Sequence, residues 1–484
     1  MPTFVSTLEP TALWAHFDHI LTIPRGSGNE DAMRAYVLEV AERTGLEHQV
    51  DDVGNVVVRK PGAPGHESAP VTVLQSHLDM VNEKNSDTEH DFTRDPLVPE
   101  RDGEYLKARG TTLGSDNGIG VAAMLALMEA DDVGHGPLEL LFTIDEETGL
   151  TGAGKLDGSM LRGRRLLNLD TEEEGAIYVG CAGGGDSHLS LPVKRAAPPQ
   201  GARPFRIALR GLKGGHSGVD IHLQRGNAIR LLARLLDTAA RGTTFRLAAF
   251  DGGDKHNAIP REATAAVLVA DADVEGFRQR LEAELERVQD AFAPAEPGLA
   301  MTAEEAQSPA DALDEGSSRK ALHLLHALPH GVAAMSYDIP DLVETSTNLA
   351  RVRTEGDRLT ILMSTRSSVA GELEALRARI RAIAHLAGAE VKEEAPYPGW
   401  KPNLESALLE VVTDVYHDEL EEEPAIKAIH AGLETGIIGE KVPGMDMVSI
   451  GPQIEFPHSP DERVRIPSVG DFYALLVRTL ERLA

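Results

Sequence analysis

The 484-residue chain has one cysteine, Cys181, so no internal disulfide can form, which fits a reducing compartment. No stretch approaches the roughly 18 uninterrupted apolar residues of a membrane span. The opening Met1-Pro2-Thr3-Phe4 lacks the basic flank and apolar core of a secretion signal. A soluble, cytoplasmic protein with no membrane partner is expected. Positive charge is scarce, with 47 Lys and Arg against 77 Asp and Glu and a formal net charge of -30. Nucleic-acid affinity comes largely from Lys and Arg neutralising phosphates, and the chain has no basic stripe, so nucleic acid is not expected as a partner. The acidic run Glu419 to Glu423 reads as a solvated helix end with no function of its own.

The length exceeds what one core usually supports, so two domains are expected. Leu13, Phe17, Ile20 and Leu21 fall at helical spacing before Pro24, and Met33, Val37 and Val40 mark a second helix. Val71 to Gln75, Leu138 to Thr143 and Leu166 to Leu169 then read as buried strands, with a helix over 118–128. This alternation predicts an α/β fold with a mostly parallel sheet covered by helices on both faces. From about Ser190 the pattern becomes strand, helix, strand, strand, helix, and part of it returns with Thr347 to Arg353, Leu359 to Thr365 and a helix over 373–386. The expected organisation is a catalytic domain built from 1–189 and 397–484, with 190–396 as an inserted α+β domain.

Chemistry-bearing side chains recur where the apolar strands end. They are His77 and Asp79, Asp116 at the start of a helix, Glu146 and Glu147, Asp170, and His458 shortly after Met447 to Ile450. Loops at the carboxyl ends of parallel strands converge on one crevice, so these residues can meet there. Three carboxylates and two histidines suit a pair of zinc ions, with one carboxylate left over as a base. Other conspicuous residues read as structural. Cys181 has no adjacent base and reads as a small buried residue, Gly183 to Gly185 as a turn, and Trp14 and Phe17 as core.

The segments His77-Leu78-Asp79-Met80, Gly114-Ser115-Asp116-Asn117-Gly118, Asp145-Glu146-Glu147-Thr148-Gly149 and Asn168-Leu169-Asp170 resemble the metal motifs of the aminoacylase and carboxypeptidase superfamily of zinc exopeptidases. Four further runs resemble the bacterial aminoacyl-histidine dipeptidases within it: 110–114, 211–218, 430–434 and 457–462. Nearly the whole chain is covered. One departure is Thr435, where cysteine is common in those relatives.

The resemblance implies that Asp116 bridges two zinc ions, with His77 and Asp170 completing one shell and Glu147 and His458 the other. Cobalt or manganese could substitute. It also implies a cis peptide at Asp116-Asn117. Asp79 is suited to orient the His77 ring and is grouped with the catalytic residues. Glu146 is placed to take a proton from a water shared by the metals and pass it to the leaving amine. The resemblance further implies a homodimer through the inserted lid domain, with His216 reaching the partner's site to stabilise the oxyanion. Asn257 and Arg366 are candidates for holding the substrate backbone and carboxylate, and His430 and Glu434 for lining the side-chain pocket.

The expected activity is hydrolysis of dipeptides with a free amino end, preferentially those ending in histidine and including β-alanyl-histidine. A broader aminopeptidase, a tripeptidase or an N-acyl amino acid hydrolase would use the same metal motifs. A non-catalytic metal-dependent binding protein is the reading of another class, and the retention of Glu146 beside a full ligand set counts against it.

Overall fold

The larger unit is built on an eight-stranded sheet with a parallel centre. The structure, a computed structural model, describes residues 2–420 and 422–484, so Glu421 of the acidic run lies outside the described residues. The strand order is Glu47–Val50, Val56–Lys60, Leu138–Thr143, Thr72–His77, Arg165–Asn168, Asp446–Ser449, Ala176–Cys181 and Ala425–Ile429. Leu138–Thr143, Thr72–His77, Arg165–Asn168 and Asp446–Ser449 run parallel to one another. Pairing outside them is antiparallel at Val56–Lys60, Glu47–Val50 and Ala176–Cys181. The expected mostly parallel sheet is therefore mixed.

The reason is local at the first edge. Asp51 Oδ1 accepts the N–H groups of Val53, Gly54 and Asn55 at 2.9 to 3.0 Å and folds a tight turn between the first two strands. A connection that short permits only antiparallel pairing. In the centre, Thr72–His77 and Leu138–Thr143 are buried along their whole length, so both faces are covered. Helix Ser115–Glu129 packs on Thr72–His77 and against helices Thr11–Ile20 and Asp31–Thr44, the first of which carries Trp14 and Phe17 into the core at 0% exposure.

Register aligns the strand ends. His77 lies opposite Thr143, Gln75 opposite Asn168, and Asn168 opposite Ser449. Residues that follow these positions in four separate loops are thus delivered to one end of the sheet.

Smaller sheets of two and four strands aside, nine further strands form a sheet whose pairs are antiparallel. Helices Ala228–Ala239, Val274–Phe292, Glu315–Ala327 and Ala370–Ala387 supply leucines and isoleucines to its core. Two compact units result: Met1–Cys181 with Trp400–Ala428 and Leu433–Ala484, and Ala182–Gly399 with Ile429–Gly432. The expected boundary at 189 falls inside strand Gly183–Pro192, which belongs to the second sheet. Gly183 to Gly185 are consequently strand residues and not a turn. A Cβ on Gly183 would lie 2.4 Å from Gly399 N, and one on Gly184 2.5 Å from the Tyr397 hydroxyl. These glycines permit close backbone approach. No helix among the described residues is long and apolar enough to cross a membrane.

Candidate active site

Asp116 offers its two carboxylate oxygens to two different groups. Oδ1 lies 3.0 Å from His77 Nε2, which is also 3.3 Å from Asp170 Oδ1. Oδ2 lies 3.2 Å from His458 Nε2, which is 3.0 Å from Glu147 Oε2. The two triads, His77-Asp116-Asp170 and Asp116-Glu147-His458, each keep their ligand atoms within 4.8 Å of one another. Glu146 forms a further such group with His77 and Glu147. The first unit thus brings together all five expected metal ligands and the expected base.

Neighbouring residues fix this arrangement. Asp79 faces His77 Nδ1 at 3.3 Å and accepts the backbone N–H of Glu146 at 3.0 Å and of Glu147 at 3.1 Å, so one carboxylate orients both the ring and the glutamate turn. The Asp116-Asn117 peptide is cis, and the Asn117 amide donates to Leu169 O at 2.8 Å and to Asp170. His458 adopts a positive φ of 60°, a conformation that costs a non-glycine residue on the order of 1 kcal/mol.

Electrostatics follow from crowding. Burial raises Glu146 well above the ordinary carboxylate range; the positive charge of His77 opposes the shift, while Asp170, Glu434 and Glu147 add to it. Burial also raises Glu147 and Asp170, each with Asp116 adding repulsion. Burial opposes a charged His77, but Asp170, Asp116 and Asp79 outweigh it and hold that ring well above its ordinary value. Hydrogen bonding to Asp116 and then Glu147 lifts His458 to about 11. Asp116 itself is lowered: burial resists, but its bonds to His458 and His77 prevail.

These features fit divalent cations. The donors are imidazole nitrogens and carboxylate oxygens, the set that zinc and its neighbours accept, and cations would relieve the repulsion among the buried acids. Glu147 Oε1 is buried without a hydrogen-bond partner, so it retains capacity for a ligand bond.

Five neighbouring residues were not anticipated in these roles. Buried Glu462 accepts the backbone N–H groups of Leu113, Gly114 and Ser115 at 2.7 to 2.9 Å, which shapes the loop carrying Asp116. Buried Arg25 donates to Leu78 O at 3.0 Å, to Asp79 O at 2.7 Å and to Gly114 O, tying two ligand loops together. Glu172, two residues beyond Asp170, is pushed up to about 9 by burial and then by the Asp116 and Asp170 charges. Gln75 Nε2 donates to Glu434 at 2.6 Å, as does the Thr143 hydroxyl. The available signals were weak: Arg25 follows a helix-ending proline, and Glu462 closes the 457–462 run. Glu434 is fully buried, and burial raises it to about 7.

The second unit gathers the other expected residues. His216 Nδ1 accepts the N–H groups of Gly218 and Val219 at 3.2 and 3.0 Å, which leaves the ring proton on Nε2. Burial and the Arg366 charge lower its pKa, favouring this neutral donor form. A Cβ on Gly218 would lie 2.2 Å from His430 O, so glycine is required where this turn packs. Arg366 is buried, donates to the Tyr397 hydroxyl at 3.1 Å, and has a buried Nε without a partner. Asn257 O accepts the Ser217 N–H at 2.7 Å, and Asn348 donates to the carbonyls on either side, at His256 and Ala258. His430 Nε2 lies 2.8 Å from Ser346 Oγ. His430 and Glu434, expected to line one pocket together, make their recorded bonds in different units. Cys181 is buried, as expected, and burial raises its thiol.

Comparison with known proteins identifies the family. The pattern of Peptidase family M20/M25/M40 matches residues 73–482. The cytosol non-specific dipeptidase of Escherichia coli K12 is 42% identical over 479 residues, covering 99% of both chains. The crystal structure of aminoacylhistidine dipeptidase from Vibrio alginolyticus superposes with a TM-score of 0.93 at 41% identity, covering 99% of this chain and 98% of that one. Aminopeptidase PepT from Bacillus cereus shares the fold, with a TM-score of 0.58 at 16% identity and 98% and 99% coverage. The chain is a peptidase, and it belongs to family M20/M25/M40.

Proposed function

We propose that this peptidase is a metal-dependent dipeptidase acting on dipeptides with a free amino end, with a preference for Xaa-His substrates that includes β-alanyl-histidine. The observation that carries the reading is the pair of histidine and carboxylate triads sharing the two oxygens of Asp116, with Glu146 beside them. The names of the Escherichia coli and Vibrio alginolyticus relatives support dipeptidase activity, and the first also supports a cytoplasmic location.

His77 and Asp170 would hold one ion and Glu147 and His458 the other, with Asp116 shared. Two zinc ions, with cobalt or manganese able to substitute, would polarise the scissile carbonyl and lower the pKa of the attacking water. Glu146 takes the proton of that water and delivers it to the leaving amine nitrogen, a role its raised pKa suits. Asp79 holds the Glu146 and Glu147 backbone and the His77 ring. His216 Nε2–H donates to the oxyanion, Arg366 takes the substrate carboxylate in its planar fork, and Asn257 holds the substrate backbone. Of the two side-chain-pocket residues, His430 belongs to the inserted unit with Arg366 and contacts the substrate side chain from there. The inserted unit acts as a lid and pairs two chains about a two-fold axis, so that His216 serves the partner's site.

The Escherichia coli relative's designation as non-specific favours a second reading, a dipeptidase with little side-chain preference. Measuring kcat/KM for β-alanyl-histidine, glycyl-histidine, glycyl-leucine, a histidine-containing tripeptide and an acetyl amino acid at fixed zinc separates the readings. The Xaa-His reading expects the first two to be cleaved best and the last two poorly. Equal rates for glycyl-leucine support the broad dipeptidase. A preference for tripeptides or acetyl amino acids overturns both.

A further inference from the structure

The inserted unit contains a cavity of about 800 Å³, within the usual size range of small-molecule sites. Its charge is opposite to that of the chain. Arg225, Arg230, Arg234, His222, His326 and His330 line it, and no Asp or Glu does, although acidic residues outnumber basic ones 77 to 47 in the sequence. Ile221, Leu231, Phe292 and Val332 supply apolar wall, which strengthens the field of the arginines by keeping the local dielectric low.

The guanidinium groups are incompletely used. Arg234 Nε pairs with Glu284 at 2.7 Å, leaving its two terminal nitrogens without a recorded bond. Arg225 Nη1 donates to Gly214 O at 2.6 Å, and its Nη2 is 3.6 Å from Asp220. Among the described residues no carboxylate pairs with Arg230, whose Nη1 lies 3.4 Å from His330 O. The His330 ring at the cavity wall carries no charge of its own. His330 Nδ1 faces Asn227 Nδ2 at 3.2 Å and the Leu349 N–H at 3.4 Å, which marks a neutral imidazole. Burial and the Arg230 charge push its pKa down to about 3. A carboxylate facing that ring would have raised it.

We infer that this cavity binds a small, multiply charged oxyanion, whose phosphate or clustered carboxylate oxygens are held by Arg225, Arg230 and Arg234 with His222 and His326 completing the rim. Planar guanidinium forks match such oxygens. The site is coupled to the peptidase residues of its own unit, because Asp220 accepts the His216 backbone N–H at 2.8 Å while facing Arg225. An anion competing for Arg225 would alter the support of the His216 turn. The inference does not depend on the reading of the metal centre.

Calorimetric titration of the zinc-loaded protein with inorganic phosphate and, separately, with tricarballylate tests the site and distinguishes the two sources of oxyanion. Saturable binding of at least one probe is expected. Arg230→Gln should weaken it roughly tenfold, the scale of one lost charge-assisted bond, and Arg230→Glu should abolish it. Arg230 is exposed on its helix, so both variants should fold, and Arg319→Gln outside the cavity should bind as the parent does. Absence of binding by both probes at millimolar concentration would overturn the inference. So would binding unchanged in Arg230→Glu, because the probe would then be occupying the metal centre.

Discussion

Glu462 Oε1 accepts both the backbone N–H and the hydroxyl of Ser115, at 2.7 and 2.6 Å. Its other oxygen takes the N–H groups of Leu113 and Gly114. The loop that presents Asp116 is therefore moulded on one buried carboxylate contributed from near the C-terminal helix. Leaving buried donors unpaired costs roughly 1–3 kcal/mol each. Glu462→Ala should accordingly lower stability by about 3 kcal/mol or more and reduce bound metal, with Glu462→Gln intermediate. Denaturant unfolding and metal analysis check this, and unchanged metal content in a folded Ala variant would assign Glu462 to stability alone.

The two adjacent glutamates should separate by function. Glu146→Gln should retain metal and fold while losing about 10²- to 10⁴-fold in kcat, because an amide cannot take the water's proton. Glu147→Gln should lose metal, since its carboxylate sits 3.0 Å from His458 in the second triad. Metal content and kcat measured on both variants test the assignment, and equal metal loss in the two would reverse it.

The division between what the sequence reveals and what it hides follows from the range of the interactions. His77, Glu147, Asp170 and His458 were recognisable because each follows an apolar strand, and parallel register carries such positions to one sheet end. The helix expected over 373–386 followed from apolar periodicity and spans Ala370–Ala387. Arg25 and Glu462 were hidden because their partners are backbone groups in loops remote in sequence, which no local pattern encodes. Glycines 183–185 were misread because a strand and a turn use glycine for different reasons, and only the approach of Tyr397 and Gly399 distinguishes them. Edge strands escaped the parallel expectation because a turn such as Asp51–Asn55 sets direction locally.

Assembly can be tested through His216. Zinc-loaded His216→Ala and Glu146→Gln chains should each be nearly inactive, and mixing them under subunit exchange should recover activity, because one hybrid site then contains both residues. No recovery in confirmed hybrid dimers would place His216 at its own chain's site. Absence of dimers by light scattering would remove the pairing altogether.

Stability should depend on His430 in acid. Burial first and the Arg366 charge second push its pKa down to about 3, below the roughly 6.5 of an unfolded chain. Between these values the unfolded state binds the proton and the folded state does not. This contribution is therefore full above about pH 6.5 and is lost as pH falls toward about 3. His430→Gln should flatten the acid loss of stability, by at most ~1.4 kcal/mol per pH unit for one proton. Urea unfolding at about pH 7 and about pH 4.5 checks it, and identical pH slopes in parent and variant would refute the coupling.

The central claim is that Asp116 bridges two metal ions. Anomalous diffraction at the zinc edge from crystals of the zinc-loaded protein tests it most directly. The account predicts two peaks about 3.5 Å apart, one beside His77 and Asp170 and the other beside Glu147 and His458, with an Asp116 oxygen on each. A single peak at full loading, or two peaks of which only one touches Asp116, would contradict it.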